Sequence, residues 1–262
     1  MESQLGVVLD SFRQLPREAL QSAAQLGFRK VEMPAVSGPV APTELTGTGR
    51  RHLSKFVSSL GLELSALGGD LGGTRFTDSS KLEQSLEKTR AILEMARDLR
   101  VPVVTTHLGP ITEADLQEGY LVEAVEQLAD WSDRTGTFVA FETAGADPAR
   151  FADLLRRINS PTLGMCYDPA SLLIDGFEPL AGIEPVANTI LLARARDALA
   201  GSSQRPGREV PLGEGQIDWP EYLAALDQAG YRNVPFIRRT EARRPLEELA
   251  DAKRKLERLV RA

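Results

Sequence analysis

Residues 137–168 read TFVAFETAGADPARFADLLRRINSPTLGMCYD and hold two short apolar runs on either side of a longer amphipathic stretch. Each apolar run ends in a carboxylate, Glu142 in the first and Asp168 in the second. A short apolar run is typical of a buried strand, and two such runs joined by a helical stretch are typical of a βαβ unit with parallel strands. This unit decides the fold because the same alternation recurs along the whole chain.

Eight strands are predicted from this alternation, at residues 5–10, 29–33, 62–67, 101–107, 137–142, 162–168, 189–194 and 234–238. Apolar residues at three- and four-residue spacing predict helices between them, most clearly at residues 81–99, 114–131 and 245–260. Eight strands in 262 residues favour one α/β domain (residues 1–262) built as a closed (β/α)8 TIM barrel, which typically takes ~250 residues. An open nucleotide-binding sheet would carry a glycine-rich loop after its first strand, and Asp10-Ser11-Phe12 is not such a loop. Residues 198–208 are predicted as a long loop after the seventh strand.

Composition excludes several classes of function. The formal net charge of −6 argues against nucleic acid as a partner, because phosphate binding needs a concentrated basic surface. Cys166 is the only cysteine, which excludes an intramolecular disulfide and a cysteine-based zinc site. No apolar stretch approaches the ~20 residues of a membrane span, and the N-terminus has no signal-peptide pattern. We therefore expect a cytoplasmic protein with no membrane partner.

The ends of the predicted strands supply candidate site residues, because TIM-barrel active sites lie at the C-terminal ends of the strands. Five consecutive strands end in a polar or ionisable residue: His107, Glu142, Asp168, Arg194 and Arg238. Side-chain alternation places Asp168 and Cys166 on the barrel interior, and it does the same for Arg194 and His107. Two alternatives remain open at this point, since a strand-end carboxylate is often a helix cap and a lone histidine is often a core residue.

Two further glutamates are candidates for the same site. Glu32 lies near the end of the second predicted strand and could line the pocket or serve the structure. Glu214 lies in a glycine-flanked loop near the predicted mouth and could touch a ligand.

Six short blocks, taken in their order and spacing, resemble the sugar phosphate isomerase/epimerase family, the xylose isomerase-like TIM barrels. They are residues 62–68 (LELSALG), 106–110 (THLGP), 141–143 (FET), 167–169 (YDP), 196–198 (RDA) and 211–219 (PLGEGQIDW). The last block is the most distinctive, and together they span nearly the whole chain. The resemblance implies isomerase or epimerase chemistry on a sugar, a sugar phosphate or a polyol.

Proteins of this family typically hold one divalent ion (Mn, Mg, Co or Zn) with a Glu, an Asp, a His and a Glu at the ends of strands five to eight. Such an ion stabilises the enediolate that forms when a proton leaves the carbon beside a carbonyl. Carried over by position, Glu142 and Asp168 match the first two ligands. Arg194, in Arg194-Ala-Arg-Asp197, takes the position of the His, and Arg238 takes that of the second Glu. A register shift of three residues would place Glu241 there instead and would leave a long polar tail on the strand.

An arginine has no lone pair to offer a metal, so these two departures predict a metal site that is absent or weak. Our hypothesis at this point is that Arg194 and Arg238 replace the metal by forming ion pairs with Glu142 and Asp168.

Two functions follow from this interpretation. In the first, the protein is an isomerase, epimerase or lyase in which Glu142 or His107 transfers the proton and Arg194 or Arg238 stabilises the developing oxyanion in place of metal. Arg194, Arg238, Glu214 and Glu32 are the residues expected to contact the substrate. In the second, the barrel does not catalyse and binds a carbohydrate or a small anion. A DNA-repair endonuclease of this fold is excluded, because it needs a histidine-rich zinc cluster and this chain has two histidines. Members of the family often associate, so a homo-oligomer is among the expected states.

Overall fold

The apolar segments of the chain form parallel strands that close into a barrel. The structure is a computed structural model that describes residues 5–70, 76–117, 119–145 and 147–261. The first seven barrel strands are β1 (Gly6–Val8), β2 (Lys30–Pro34), β3 (Glu63–Gly68), β4 (Val103–Thr106), β5 (Phe138–Glu142), β6 (Leu163–Tyr167) and β7 (Ile190–Ala195). Two short strands outside the barrel follow, β8 (Asp197–Leu199) and β9 (Arg208–Val210). The eighth barrel strand is β10 (Phe236–Ile237). Strand β10 pairs with both β7 and β1 and so closes the ring. The predicted (β/α)8 barrel is confirmed.

Helices follow the strands and cover the outside of the barrel. They are α1 (Pro16–Gln25), α2 (Gly47–Ser59), α3 (Leu82–Leu99), α4 (Glu113–Gln117), α5 (Tyr120–Thr135), α6 (Pro148–Ile158), α7 (Pro169–Ile174), α8 (Trp219–Gln228) and α9 (Pro245–Arg261). Aspartate caps begin three of them, because the side chains of Asp147, Asp168 and Asp218 accept backbone N–H groups in the first turns of α6, α7 and α8. Within the described ranges, none of the helices combines the length and apolar character that crossing a bilayer requires.

Two predicted elements differ from the structure. The helix predicted at residues 114–131 is two helices, α4 and α5, with Gly119 at φ +85° just before α5. The loop predicted at residues 198–208 is an antiparallel hairpin, because β8 pairs with β9 from Asp197↔Val210 to Leu199↔Arg208. The Gly, Ser and Pro residues of its tip, 201–207, hide these three-residue strands in the sequence.

The interior of the barrel is filled by one apolar layer with a polar layer above it. The apolar layer is made of small and branched residues together with one ring: Val8, Ala66, Ala140, Cys166, Leu192 and Phe236. Space is tight, since a Cβ built on Gly6 would lie 2.6 Å from the Phe236 ring. Nearer the C-terminal ends of the strands the inward-facing side chains are charged, and these side chains form the candidate site.

Candidate functional site

The centre of the site is the guanidinium of Arg194, which points from β7 into the barrel and has 0% of its side-chain surface exposed. Its Nη1 and Nη2 donate to the two carboxylate oxygens of Glu32 on β2, the second over 2.9 Å, and Nη2 also donates to Glu142 Oε1 over 2.6 Å. Thr105 on β4 adds a hydroxyl donor to Glu32 over 3.0 Å. Charge-assisted hydrogen bonds at the two terminal nitrogens offset the cost of burying Arg194, while its Nε has no hydrogen-bond partner among the described residues. Arg194 therefore links three parts of the barrel wall, β2, β5 and β7.

Glu142, the last residue of β5, accepts from a second guanidinium. Arg238 follows β10, and its Nη1 donates to both carboxylate oxygens of Glu142, over 3.2 and 3.1 Å. Burial alone would raise the pKa of Glu142, but the positive charges of Arg238 and Arg194 outweigh it and lower the pKa to about 2. Glu142 is therefore a permanent carboxylate at neutral pH.

The same row of charges ends at the solvent with Asp10, which follows β1. Arg238 Nη2 lies 3.6 Å from Asp10 Oδ2. Five groups of alternating sign thus run through the mouth of the barrel, and we call them the mouth network: Asp10, Arg238, Glu142, Arg194 and Glu32. Three carboxylates and two guanidinium groups give the network a formal charge of −1.

Asp168 belongs to a different set of contacts. Its Oδ1 accepts the N–H groups of Ala170 and Ser171 at the start of α7, and its Oδ2 accepts from Ser171 Oγ over 3.0 Å and from Arg196 Nη1 over 3.1 Å. The expected pairing of Asp168 with Arg194 or Arg238 is therefore replaced by pairing with Arg196. The physical reason is that Asp168 caps α7, which turns its carboxylate toward the residue that follows β7.

Arg196 belongs to a second row of alternating charge, of which sequence reasoning found only Asp168. Arg196 Nε donates to Glu209 Oε2 over 3.0 Å, and Arg239 Nη1 donates to Glu209 Oε1 over 2.9 Å. We call this row the hairpin network, since Glu209 lies on β9: Asp168, Arg196, Glu209, Arg239 and Glu248. The only sequence signal for it is the arginine in the block at residues 196–198.

His107 lies half-buried just after β4. Its Nδ1 accepts the backbone N–H of Gly109 over 2.8 Å. Because a backbone N–H can only donate, the Nδ1 atom must present a lone pair, and the ring proton is on Nε2. His107 thus offers the site a donor at Nε2.

The remaining sequence candidates lie away from the mouth network. Glu214 is exposed, in a turn whose Gly213 and Gly215 N–H groups donate to the buried carboxylate of Asp197 over 2.7 and 3.2 Å. Its contact with a ligand stays a prediction. Glu241 is exposed, while Arg238 faces Glu142, so the strand register that places Arg238 at the site agrees with the structure. Sequence reasoning missed Asp10, although it ends the first predicted strand.

The donor set does not suit the divalent ion that the family resemblance implies. Both oxygens of Glu142 accept from guanidinium groups, Asp168 is held by Arg196 and the start of α7, and the other two positions carry arginine. Among the described residues, no group of three or more His, Cys, Asp or Glu side chains is placed to hold a metal. A divalent cation at this point would also be repelled by two fixed positive charges.

Comparison with known proteins agrees with the architecture. The family model described as "xylose isomerase-like TIM barrel" matches residues 20–261. A comparison with curated protein sequences gives no match.

Three solved structures illustrate the likeness of the fold. A xylose isomerase domain protein from Planctomyces limnophilus superposes with a TM-score of 0.88 at 22% identity, covering 99% of this chain and 98% of its own. A D-tagatose 3-epimerase-like protein gives 0.78 at 18% identity, with 98% of each chain covered. A xylose isomerase-like TIM barrel protein from Mycobacterium smegmatis, in complex with magnesium, gives 0.78 at 13% identity, covering 99% of this chain and 98% of its own.

Proposed function

The chain belongs to the xylose isomerase-like TIM barrel family, and from that premise we propose that its barrel mouth takes a small carbohydrate or polyol-derived carbonyl compound without the help of a divalent ion. It is then an isomerase- or epimerase-like protein in which guanidinium groups supply the positive charge. One observation carries the proposal: Glu142, which matches a family metal ligand, is held on both oxygens by guanidinium groups.

The two arginines have different parts in this proposal. Arg194 is fully buried, and its two terminal nitrogens donate to Glu32 and Glu142, so it positions these carboxylates and does not meet the ligand. Arg238 has 14% of its side chain exposed, and the closest carboxylate contact of its Nη2 within the described part of the chain is Asp10 Oδ2 at 3.6 Å. A carbonyl oxygen of the ligand would therefore meet Arg238, with the Nε2–H of His107 as a second donor.

Glu142 is a poor proton acceptor in this arrangement. A general base works best with a pKa near the working pH, and a pKa of about 2 lies far below neutrality. Glu142 instead orients Arg238 toward the mouth. The low pKa also favours the second candidate function, a barrel that binds the same ligands without catalysis.

The test is titration of the purified protein with manganese, magnesium, cobalt and zinc by isothermal calorimetry, with Glu142→Gln as the matched control. We expect that none of these metals binds the wild-type protein stoichiometrically at a site that is lost in Glu142→Gln. A screen of aldoses, ketoses, polyols and their phosphates by thermal shift then identifies ligands, and Arg238→Gln should abolish their effect. Tight metal binding that is lost in Glu142→Gln would overturn the proposal.

A further inference from the structure

The carboxylates of the barrel mouth differ in their solvent exposure. Glu32, Glu142 and Asp168 are 2%, 6% and 1% exposed, and both oxygens of each accept hydrogen bonds. Asp10 has 37% of its side chain exposed. It is the carboxylate of the mouth network that a ligand entering from solvent reaches directly.

The contacts of Asp10 are also the longest in the network. Arg238 Nη2 lies 3.6 Å from Oδ2, and the Ser11 hydroxyl donates to Oδ1 over 3.4 Å. These distances exceed those of charge-assisted hydrogen bonds, which are ~2.8 Å. The carboxylate is therefore held near a guanidinium and keeps capacity to bind a proton.

The surroundings of Asp10 raise its pKa. Removal of water by the neighbouring residues raises the pKa of Asp10 above its ordinary 3.8, the Arg238 charge opposes this rise, and Glu32 and Glu142 reinforce it. Arg194, the remaining charge that faces it, lowers the pKa. Asp10 thus has the opposite displacement to Glu142, and carboxyl groups whose pKa values are pushed apart are suited to different roles.

Resting on the proposed function, we propose that Asp10 is the catalytic residue that removes and returns the proton beside the carbonyl of the bound ligand, while Arg238 Nη2 receives the charge that develops on the carbonyl oxygen. The two groups follow neighbouring strands, since Asp10 comes after β1, Arg238 comes after β10, and these strands pair. A ligand whose carbonyl oxygen touches Arg238 places its adjacent carbon near Asp10.

The step balances with groups that the mouth holds. An oxygen of the Asp10 carboxylate takes the hydrogen from the carbon beside the carbonyl as a proton. The electron pair of the broken C–H bond forms the C=C bond of an enediolate, and the π pair of the C=O bond moves to its oxygen. Return of the proton from Asp10 to the carbon that lost it reverses the step. Return to the former carbonyl carbon moves the carbonyl, provided that the hydroxyl proton of the enediolate passes to the oxygen that received the charge. Exchange of the proton on Asp10 with solvent makes hydrogen exchange accompany turnover.

The test follows hydrogen exchange in D2O by proton NMR with 1,3-dihydroxyacetone, D-fructose and D-xylose as probes, alongside calorimetric binding of each probe. The wild-type protein should replace the hydrogen beside the carbonyl with deuterium. Asp10→Asn should slow this exchange by roughly 100-fold or more while leaving the probe's Kd unchanged. Asp10→Glu should restore part of the rate, which a purely structural role would not predict. The wild-type rate should also fall as the pH drops through the pKa of Asp10, and Asp10→Asn should lose this dependence.

The outcomes separate this inference from the proposed function. Equal exchange in wild type and Asp10→Asn, or binding of a probe with no exchange in the wild type, overturns the role of Asp10 and leaves a ligand-binding barrel. Failure of the protein to bind any carbonyl compound overturns the proposed function and the role of Asp10 with it.

Discussion

At the scale of single residues, position 194 places a charged side chain where family members typically have a neutral ligand. The positive charge of Arg194 partly compensates the negative charges of two buried carboxylates, Glu32 and Glu142. Removal of one partner from a buried ion pair is costly because the other charge stays buried without compensation. The stability of the barrel mouth therefore depends on this side chain more than on any surface ion pair.

We predict that Arg194→Met lowers the free energy of unfolding by about 3–5 kcal/mol, measured by chemical denaturation. The matched control is Arg156→Met, which breaks an exposed pair with Asp153 and should cost less than about 1 kcal/mol. Adding Glu32→Met to Arg194→Met should recover part of the loss, since Glu142 keeps Arg238. Equal effects of Arg194→Met and Arg156→Met would contradict the assignment of a buried network.

Glu142 makes stability depend on pH in a defined window. Its pKa falls from an ordinary 4.5 to about 2 on folding, so its contribution is complete above pH 4.5 and is lost as the pH falls toward 2. We predict that wild-type stability decreases through this window, while Glu142→Gln, which is less stable at neutral pH, changes less. Denaturation curves at several pH values would show the two proteins converging. A constant difference between them down to pH 2 would mean that Glu142 does not keep its charge in the folded protein.

At the scale of elements, the hairpin β8–β9 depends on one buried carboxylate. Glu209 accepts from Arg196, Arg239 and Thr240, which ties β9 to the ends of β7 and β10. We predict that Glu209→Gln speeds hydrogen–deuterium exchange at residues 197–210 and leaves β5 and β6 unchanged. The comparison variant is Glu214→Gln in the exposed turn that follows β9, which should change neither region. Unaltered exchange of the hairpin in Glu209→Gln would show that its strand pairing alone holds it.

The elements also show how far the sequence reaches. Apolar runs of the length of a strand were sufficient to predict β5 and β6, since burial dictates their composition. The break between α4 and α5 was missed because the apolar period continues across Gly119. The hairpin was missed because its strands have three residues each and are held by charges distant in sequence.

At the scale of the whole molecule, the barrel closes through β10, which shares only two registered pairs with each of its neighbours, β7 and β1. β1 and β10 share two registered pairs, Gly6↔Phe236 and Val7↔Ile237, and the Phe236 ring covers Gly6. We predict that Gly6→Ala lowers the free energy of unfolding by about 1–3 kcal/mol, because its methyl group would overlap the ring. Gly6→Ala combined with Phe236→Leu should recover part of this loss in the same denaturation measurement. A Gly6→Ala protein as stable as the wild type would show that the ring moves aside freely.

Because the barrel is closed, the C-terminal ends of its strands meet at one face, and the sequence predicts which residues lie there but not how they pair. Strand ends identified Glu142, Asp168, Arg194 and Arg238 as residues of one face. The ion-pair partners of these residues could not be predicted from the sequence. Arg194 on β7 reaches Glu32 across the barrel, and the carboxylate of Asp168 is turned away by its contacts with the start of α7. Asp10 could not be singled out in the same way, because the run of polar strand ends covers strands four to eight and Asp10 ends the first predicted strand.

The burial of Arg194 between two carboxylates has a consequence for the life of the protein. A metal centre must be loaded after synthesis, competes for a scarce supply, and can take up the wrong element. The charge of Arg194 is covalently part of the polypeptide, is present once per chain from translation onward, and cannot dissociate, be exchanged or be chelated. Under the proposed function, this centre is complete as soon as the chain folds, and starvation for transition elements would leave it intact.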